Sequence, residues 1–133
     1  TRRKVSPLHW IILLITAYLA GCSGASDQAA RAVERYLQAL ANRDLNQMVS
    51  HTCAAWEAQA RQEFNSFTAV KLELKDVSCK VIGQDQSFSL VSCTGSIIAN
   101  YGNEDLQIDV AEQTFRVIQE AGDWRVCGYQ SSQ

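Results

Sequence analysis

The sequence predicts an α+β fold in which helices near the amino terminus pack on a curved, four-stranded antiparallel sheet. Two periodicities carry this prediction. Between residues 27 and 67 apolar residues recur at intervals of three and four, as on one face of a helix, and from residue 69 onward apolar and polar residues alternate, as in a half-buried strand. Helices followed by a run of strands are typical of the α+β class. A chain of 133 residues is long enough for one such domain.

Three helices are predicted in the first half of the domain. The first covers residues 27–42, with Ser26 or Asp27 as its N-cap. Asp44 is a good N-cap for a short second helix that contains Met48. The third helix carries its apolar residues on one side, at Trp56, Ala60, Phe64 and Phe67.

Four strands are predicted in the second half. The first covers residues 70–81, and a change of phase within it indicates a β-bulge. The second covers residues 87–99 and ends at a turn near residues 101–103. The third covers residues 105–119, and the last, residues 124–129, closes the meander. The chain shows no internal repeat and no second domain.

The first twenty-two residues have the pattern of a secretion signal, which is a charged segment followed by an apolar one. Arg2, Arg3 and Lys4 precede an uncharged, mostly apolar run at residues 10–19, about 15 Å long as a helix, which is short against a hydrocarbon core of about 30 Å. The run ends in Leu-Ala-Gly-Cys at residues 19–22, which resembles the lipobox of bacterial lipoproteins. An uncleaved signal anchor with an incidental cysteine is the alternative.

The lipobox resemblance implies a lipid anchor on Cys22. In that family the cysteine sulfur takes a diacylglyceryl group, the chain is cleaved between Gly21 and Cys22, and the new amine often receives a fatty acyl group such as palmitate. We therefore expect a signal peptide at 1–21, a lipidated tether at 22–26 and a domain at 27–133. Two acyl chains anchor persistently, whereas one binds only marginally.

The expected mature chain is acidic and lies outside the cytoplasm. Cleavage removes Arg2, Arg3 and Lys4 from 12 basic side chains and leaves 9 against 14 acidic ones, a net charge of −5. Such a charge argues against nucleic acid as a partner. The expected location is the extracytoplasmic side of a bacterial envelope. Ser23, in place of the aspartate that retains lipoproteins in the inner membrane of Gram-negative bacteria, permits sorting to an outer membrane.

Four cysteines remain besides Cys22, and exported thiols usually pair, so two disulfides are expected. A hairpin centred on residue 86 places Cys79 opposite Cys93, at a cross-strand distance that allows a bridge. That pairing leaves Cys53 for Cys127. A swapped pairing, Cys53 with Cys79 or Cys93, stays open.

The order of elements resembles a known superfamily. The run AVERYLQALANRDL at 32–45, a helical Thr52-Cys53, and the ending FRV at 115–117 with GDWRVCG at 122–128 are similar to the nuclear transport factor two-like (NTF2-like) superfamily. More narrowly, they resemble small bacterial lipoproteins of unknown function within it. The resemblance implies a cone, in which the sheet wraps the helices and the open end forms a pocket. It also implies a Cys53–Cys127 bridge and admits a homodimer formed through the sheet.

The superfamily includes enzymes resembling ketosteroid isomerase, in which an acid in an apolar pocket works beside a tyrosine. Asp109 is the candidate acid here, with Tyr36 or Tyr101 as the hydrogen-bond donor. The alternation around Ile108 and Val110 directs Asp109 toward solvent, which argues against catalysis.

No catalytic residue, metal site or cofactor is predicted. His51 lies close to Cys53, but a thiol in a disulfide cannot form a thiolate, so a capping or surface histidine is expected. The glycines are isolated and form no phosphate-binding loop.

Six aromatic residues either line the cone or fill it: Tyr36, Trp56, Phe64, Phe67, Phe115 and Trp124. Filling is favoured, because a small domain needs its aromatic residues to bury enough surface. The function predicted is a lipid-anchored, non-enzymatic protein that binds a small apolar ligand or another envelope protein. The alternative is a small enzyme of the ketosteroid-isomerase-like type, which a buried carboxylate at the base of an open cavity would favour.

Overall fold

The computed structural model describes residues 24–132 of the chain. The expected signal peptide and Cys22 lie outside the described residues. Within residues 24–132, the helices are too short or too polar to cross a membrane.

Helices form the first half of the domain, and they are α1 (Ala25–Ala41), α2 (Leu45–Ser50), a 3-10 turn (Ala54–Trp56) and α3 (Glu57–Ser66). Helix α1 begins two residues before the predicted start, inside the expected tether. Its N-cap residue is Gly24, which has no side chain to cap it, so Ser26 and Asp27 are not the cap. Asp27 instead lies in the first turn, where a negative charge is favoured by the helix dipole.

The turn between α1 and α2 ties three helices together. Arg43 has a positive φ of 61° and ends α1, and Asp44 caps α2 as predicted by accepting from the Gln47 N–H at 3.0 Å. The Arg43 guanidinium donates to the Phe67 carbonyl at 2.7 Å and lies 4.6 Å from the centre of the Phe64 ring. These contacts fix the end of α3 against the end of α1.

In the described part of the chain, one antiparallel sheet is formed by five strands, which are β1 (Lys71–Asp85), β2 (Phe88–Asn100), β3 (Asp105–Asp109), β4 (Gln113–Glu120) and β5 (Asp123–Ser131). Their order is β1-β2-β4-β5, and β3 pairs with β2. Residues 105–109 pair with 96–100 and residues 114–117 with 89–92, so β3 and β4 follow one another along one edge of β2. The predicted α+β class is confirmed.

The predicted third strand, 105–119, is interrupted. The Asp109 carboxylate accepts from the Ala111 N–H at 2.8 Å and caps a 3-10 turn at Val110–Glu112, which separates β3 from β4. Such a local side-chain bond competes with the ladder bonds of a strand. Val110 is 2% exposed, so the turn still directs its apolar side chain into the core. The sheet therefore has five strands in four positions.

The predicted bulge in β1 is present. In the register of β1 and β2, Asp76 and Val77 together oppose Gly95, and a second irregularity near Ile82 was not predicted. Gly95 has a φ of 95°, and a Cβ at this position would lie 2.5 Å from the Asp76 carbonyl oxygen. The bulge therefore requires glycine opposite it.

Replacement of Gly95 by alanine is expected to lower the free energy of unfolding by about 3 kcal/mol, from the positive φ and the backbone clash together. The matched control is Gly102→Ala, since Gly102 also has a φ of 95° but has open space around it. The control is expected to cost about 1 kcal/mol from backbone strain alone. Urea unfolding measures both variants, and equal costs would contradict this role of the bulge.

The described residues 24–132 contain two disulfides. Cys79 is bonded to Cys93 across β1 and β2, and Cys53 is bonded to Cys127 in β5, with no swapped pair. Beside the second bridge, the Cys53 N–H donates to the Val126 carbonyl at 2.8 Å. The loop after α2 is thus fastened to β5 by covalent and backbone bonds together. The core between α1 and the sheet includes the fully buried side chains of Tyr36, Leu40, Met48 and Phe115.

Candidate functional site

An open pocket of about 420 Å³, the cone pocket, lies between α1, α3 and the sheet. Its apolar wall consists of Leu37, Leu40, Phe67, Ile97 and Ile108. Its polar or amphipathic residues are Trp56, Gln59, Gln62, Glu63, Ser66, Gln113 and Tyr129. Residues 59, 62, 63 and 66 are three and four apart, so α3 presents one face to the pocket.

The Glu63 carboxylate is the ionisable acid of the cone pocket. It is half-buried, and its Oε2 accepts a hydrogen bond of 2.9 Å from the Tyr129 hydroxyl. Burial raises the pKa of Glu63, although the hydroxyls of Tyr129 and Tyr36 act in the opposite direction. The pocket therefore holds a partly desolvated acid with a defined partner.

The hydroxyls of Tyr129 and Tyr36 lie close to this acid, and the Trp56 indole N–H lies close to Tyr36. Burial, and then the charge of Glu63, raise the pKa of the Tyr36 and Tyr129 hydroxyls far above the ordinary value, so both remain protonated at neutral pH. Within the described part of the chain, the Tyr36 hydroxyl and the Trp56 indole N–H are buried and form no hydrogen bond of good geometry, although Tyr36 is close enough to Glu63 and Trp56 to interact with both. The polar groups around Glu63 are therefore buried but incompletely paired.

Aromatic packing holds the Tyr129 ring in place. The Trp56 ring lies 5.8 Å from it and the Phe115 ring 5.5 Å, both in edge-on geometry. Trp56 in turn packs on Gly128, where a Cβ would lie 3.1 Å from the indole. Gly128 thus allows the close approach that sets the position of Trp56 and, through it, of Tyr129.

The aromatic residues predicted for the cone divide into three groups. Trp56 and Phe67 line the pocket, whereas Tyr36, Phe64 and Phe115 are buried and fill the cone beneath it. Trp124 is partly buried against the core but does not line the cone pocket, which corrects its prediction as a pocket residue. It pairs with Gln119 at the start of β5, at the opposite end of that strand from Tyr129, and lines a separate cleft.

The other candidates from the sequence lie elsewhere. Asp109 is exposed as predicted and caps a turn, and Tyr101 is 51% exposed, so neither lines the cone pocket. His51 is the C-cap residue of α2, in agreement with the capping role predicted. The described residues contain no cluster of three or more metal-binding side chains.

Sequence reasoning missed Glu63 and Tyr129. A signal for Glu63 was present, because it follows Trp56 by seven residues and precedes Phe67 by four, and so shares their helix face. The alternation of β5 gave no comparable signal for Tyr129, whose partner is 66 positions away in the sequence.

Replacement of Glu63 by glutamine is expected to stabilise the protein at pH 7. The pKa of Glu63 is raised above its ordinary value of 4.5, so its contribution to stability is full below pH 4.5 and is lost as the pH rises through the raised pKa. Glutamine retains an acceptor for Tyr129 and carries no charge. The urea midpoint should exceed that of wild type at pH 7, and the difference should shrink toward pH 4.

The matched control for this prediction is Glu57→Gln, on a glutamate of the same helix whose side chain is 41% exposed and pairs with Arg61 at 2.8 Å. This variant should show no stabilisation at pH 7. If Glu63→Gln is less stable than wild type at pH 7, then burial is not the main effect on the pKa of Glu63.

Helices that precede a curved antiparallel sheet wrapped around α1 define an NTF2-like fold, and comparisons with solved structures show the same fold. Aln2 from a Streptomyces species is 12% identical with a TM-score of 0.53, over 77% of this chain and 85% of that chain. An NTF2-like protein of unknown function from Pseudomonas putida is 14% identical with a TM-score of 0.50, over 79% of this chain and 83% of that chain. No family model matches the sequence, and no curated protein matches it.

Proposed function

We propose that the protein is a lipid-anchored protein of the bacterial envelope whose cone pocket binds a small, largely apolar ligand with one hydrogen-bonding group. The observation that carries this proposal is the Glu63–Tyr129 pair beside the buried Trp56 indole N–H, at the wall of an open and largely apolar pocket. Pockets of this size and character are typical of small-molecule sites.

The polar groups narrow the chemistry of the ligand. Glu63 accepts hydrogen bonds, whereas the Trp56 indole N–H donates them. A hydroxyl group on the ligand meets both needs, because it donates to the carboxylate and accepts from a donor. The apolar wall then contacts the hydrocarbon part of the same molecule.

Phenol is a suitable probe, since it combines an aromatic ring with one hydroxyl, and toluene is the matched probe without the hydroxyl. We expect phenol to shift the Trp56 indole N–H resonance saturably in full-length protein held in maltoside micelles, and to bind more tightly than toluene. Glu63→Gln should weaken phenol binding about tenfold, the effect of a hydrogen bond to a charged group. Glu57→Gln should bind as wild type does. Equal affinity in Glu63→Gln and wild type would overturn the proposal.

The anchor is proposed on the lipobox and the preceding apolar run. Helix α1 begins at Ala25, three positions after Cys22, so lipidation would hold the domain within about 10 Å of the membrane surface. Intact mass of protein extracted from membranes tests the anchor. We expect a chain that starts at Cys22 and carries lipid, and an uncleaved chain after globomycin treatment. A mass without lipid would exclude the anchor but leave the pocket proposal intact.

An enzyme in the same pocket is the second candidate. A carboxylate of raised pKa beside a protonated tyrosine is an arrangement used for proton transfer, and Glu63, rather than Asp109, would be the acid. Exchange of solvent deuterium into a bound ketone distinguishes this candidate from binding alone. The homodimer and the envelope-protein partner stay predictions. Analytical ultracentrifugation of the protein alone tests the homodimer, and the same measurement with envelope extract added tests the partner.

A further inference from the structure

A second cleft of about 420 Å³, the basic cleft, lies between α1 and the turn that joins β4 to β5. Arg31 and Arg35 line it from α1, His51 from the end of α2, and Asp123 and Trp124 from β5. It shares no lining residue with the cone pocket. The two sites therefore lie on different faces of α1.

The two arginines that line the basic cleft from α1 form no ion pair in the described part of the chain. Arg31 and Arg35 lie one helical turn apart, and neither takes part in the ion pairs found within residues 24–132. Arg125 is next to the cleft, and its contact with Asp123 is long, at 3.7 Å. The Arg125 Nε is buried and has no hydrogen-bond partner in the described part of the chain.

More positive than negative charge acts on the pKa of His51. Burial lowers the pKa of His51, and the charges of Arg35 and Arg125 lower it further, against the opposing effect of Asp123. The expected mature chain carries a net charge of −5, so this positive field is local to the basic cleft.

We infer that the basic cleft binds an oxyanion, namely a sulfate, phosphate or carboxylate group, between the Arg31 and Arg35 guanidinium groups and the His51 imidazole. Guanidinium groups match the oxygen geometry of such anions and bind them with charge-assisted hydrogen bonds. Arg125 adds positive charge close to His51. Such an anion has two sources, a soluble molecule or a phospholipid headgroup, and the second is near if Cys22 is lipidated.

Titration with sodium sulfate at constant ionic strength tests the inference, with the full-length protein in maltoside micelles, which contain no phosphate. We expect saturable shifts of the His51 ring and Trp124 indole resonances. Arg35→Gln should weaken sulfate binding about tenfold. Because Arg35 is exposed, this variant should fold as wild type does. Arg61→Gln, on an exposed arginine of α3, is the matched control and should bind sulfate normally.

The pH dependence provides a second readout. The charged groups near His51 or in the adjoining clefts are Arg31 and Arg35 on α1, Asp44 at the start of α2, and Asp123 and Arg125 on β5. Sulfate keeps its charge between pH 5 and 8, so sulfate affinity should rise as the pH falls through the pKa of His51. Bound sulfate should in turn raise that pKa. Affinity that is independent of pH in this range would overturn the role of His51.

Doping the micelles with phosphatidylglycerol distinguishes the two sources. If the lipid produces the same His51 shifts and competes with sulfate, the anion is a headgroup; if sulfate alone produces them, the anion is soluble. Absence of a saturable shift with either probe would overturn the inference. Equal weakening in Arg35→Gln and Arg61→Gln would also overturn it, because the effect would then be one of net charge. Neither result bears on phenol binding at Glu63.

Discussion

Replacement of both Cys53 and Cys127 by serine is expected to lower the free energy of unfolding by about 4 kcal/mol. The bridge joins residues 74 positions apart, so it restricts most of the domain in the unfolded state. The Cys79–Cys93 bridge spans only 14 positions, and its loss should cost about 3 kcal/mol by the same reasoning. Urea unfolding of the two double variants gives the comparison.

The two bridges should also differ in their effect on the cone pocket. Cys127 lies two residues before Tyr129, and Cys53 lies three before Trp56, so the longer bridge holds together the segments that carry both rings. Its removal should weaken phenol binding in protein that is still folded. The hairpin bridge lies between β1 and β2 and should leave binding unchanged. A larger loss of stability or binding from the hairpin variant would contradict this assignment.

Phe115→Ala is expected to cost about 4 kcal/mol, as is typical of a large side chain removed from a packed core. Phe115 is 0% exposed, and its ring packs edge-on against the Tyr129 ring. The cavity left by the variant should loosen the Tyr129 ring and with it the hydrogen bond to Glu63. Phenol binding should therefore weaken together with stability.

The matched control is Phe88→Ala, at the start of β2. Phe88 is half-buried, and its ring contacts the Arg116 guanidinium at 4.2 Å on the surface of the domain. We expect a cost of about 1 kcal/mol, chiefly from this contact and partial burial. Similar costs for the two variants would show that Phe115 is not the centre of the core.

Periodicity was a reliable guide wherever one face of an element is buried. It predicted the three helices and the long β1–β2 hairpin, since the core selects apolar residues at every second or every third and fourth position. It did not predict the break at Asp109, because the cause is a single local bond to the Ala111 N–H and the buried Val110 keeps the alternation intact.

The sequence favoured a cone filled by aromatic residues, and it did not predict the chemistry of the pocket at the open end. Trp56 and Phe67 identified the helix face that meets the open end of the cone. Glu63 lies on that same face, yet a glutamate in an amphipathic helix is usually a solvated residue. Its pairing with Tyr129 depends on the approach of α3 to the end of β5, a tertiary contact that no local pattern encodes.

Carbon-13 NMR of the Glu63 carboxyl group, followed from pH 3 to 8 with and without phenol, tests the central claim most directly. Our account predicts that Glu63 titrates above its ordinary value of 4.5, and that phenol moves its resonance and its midpoint. If Glu63 titrates at or below its ordinary value of 4.5 and does not respond to phenol, then the acid is an ordinary surface group and the cone pocket is not the binding site.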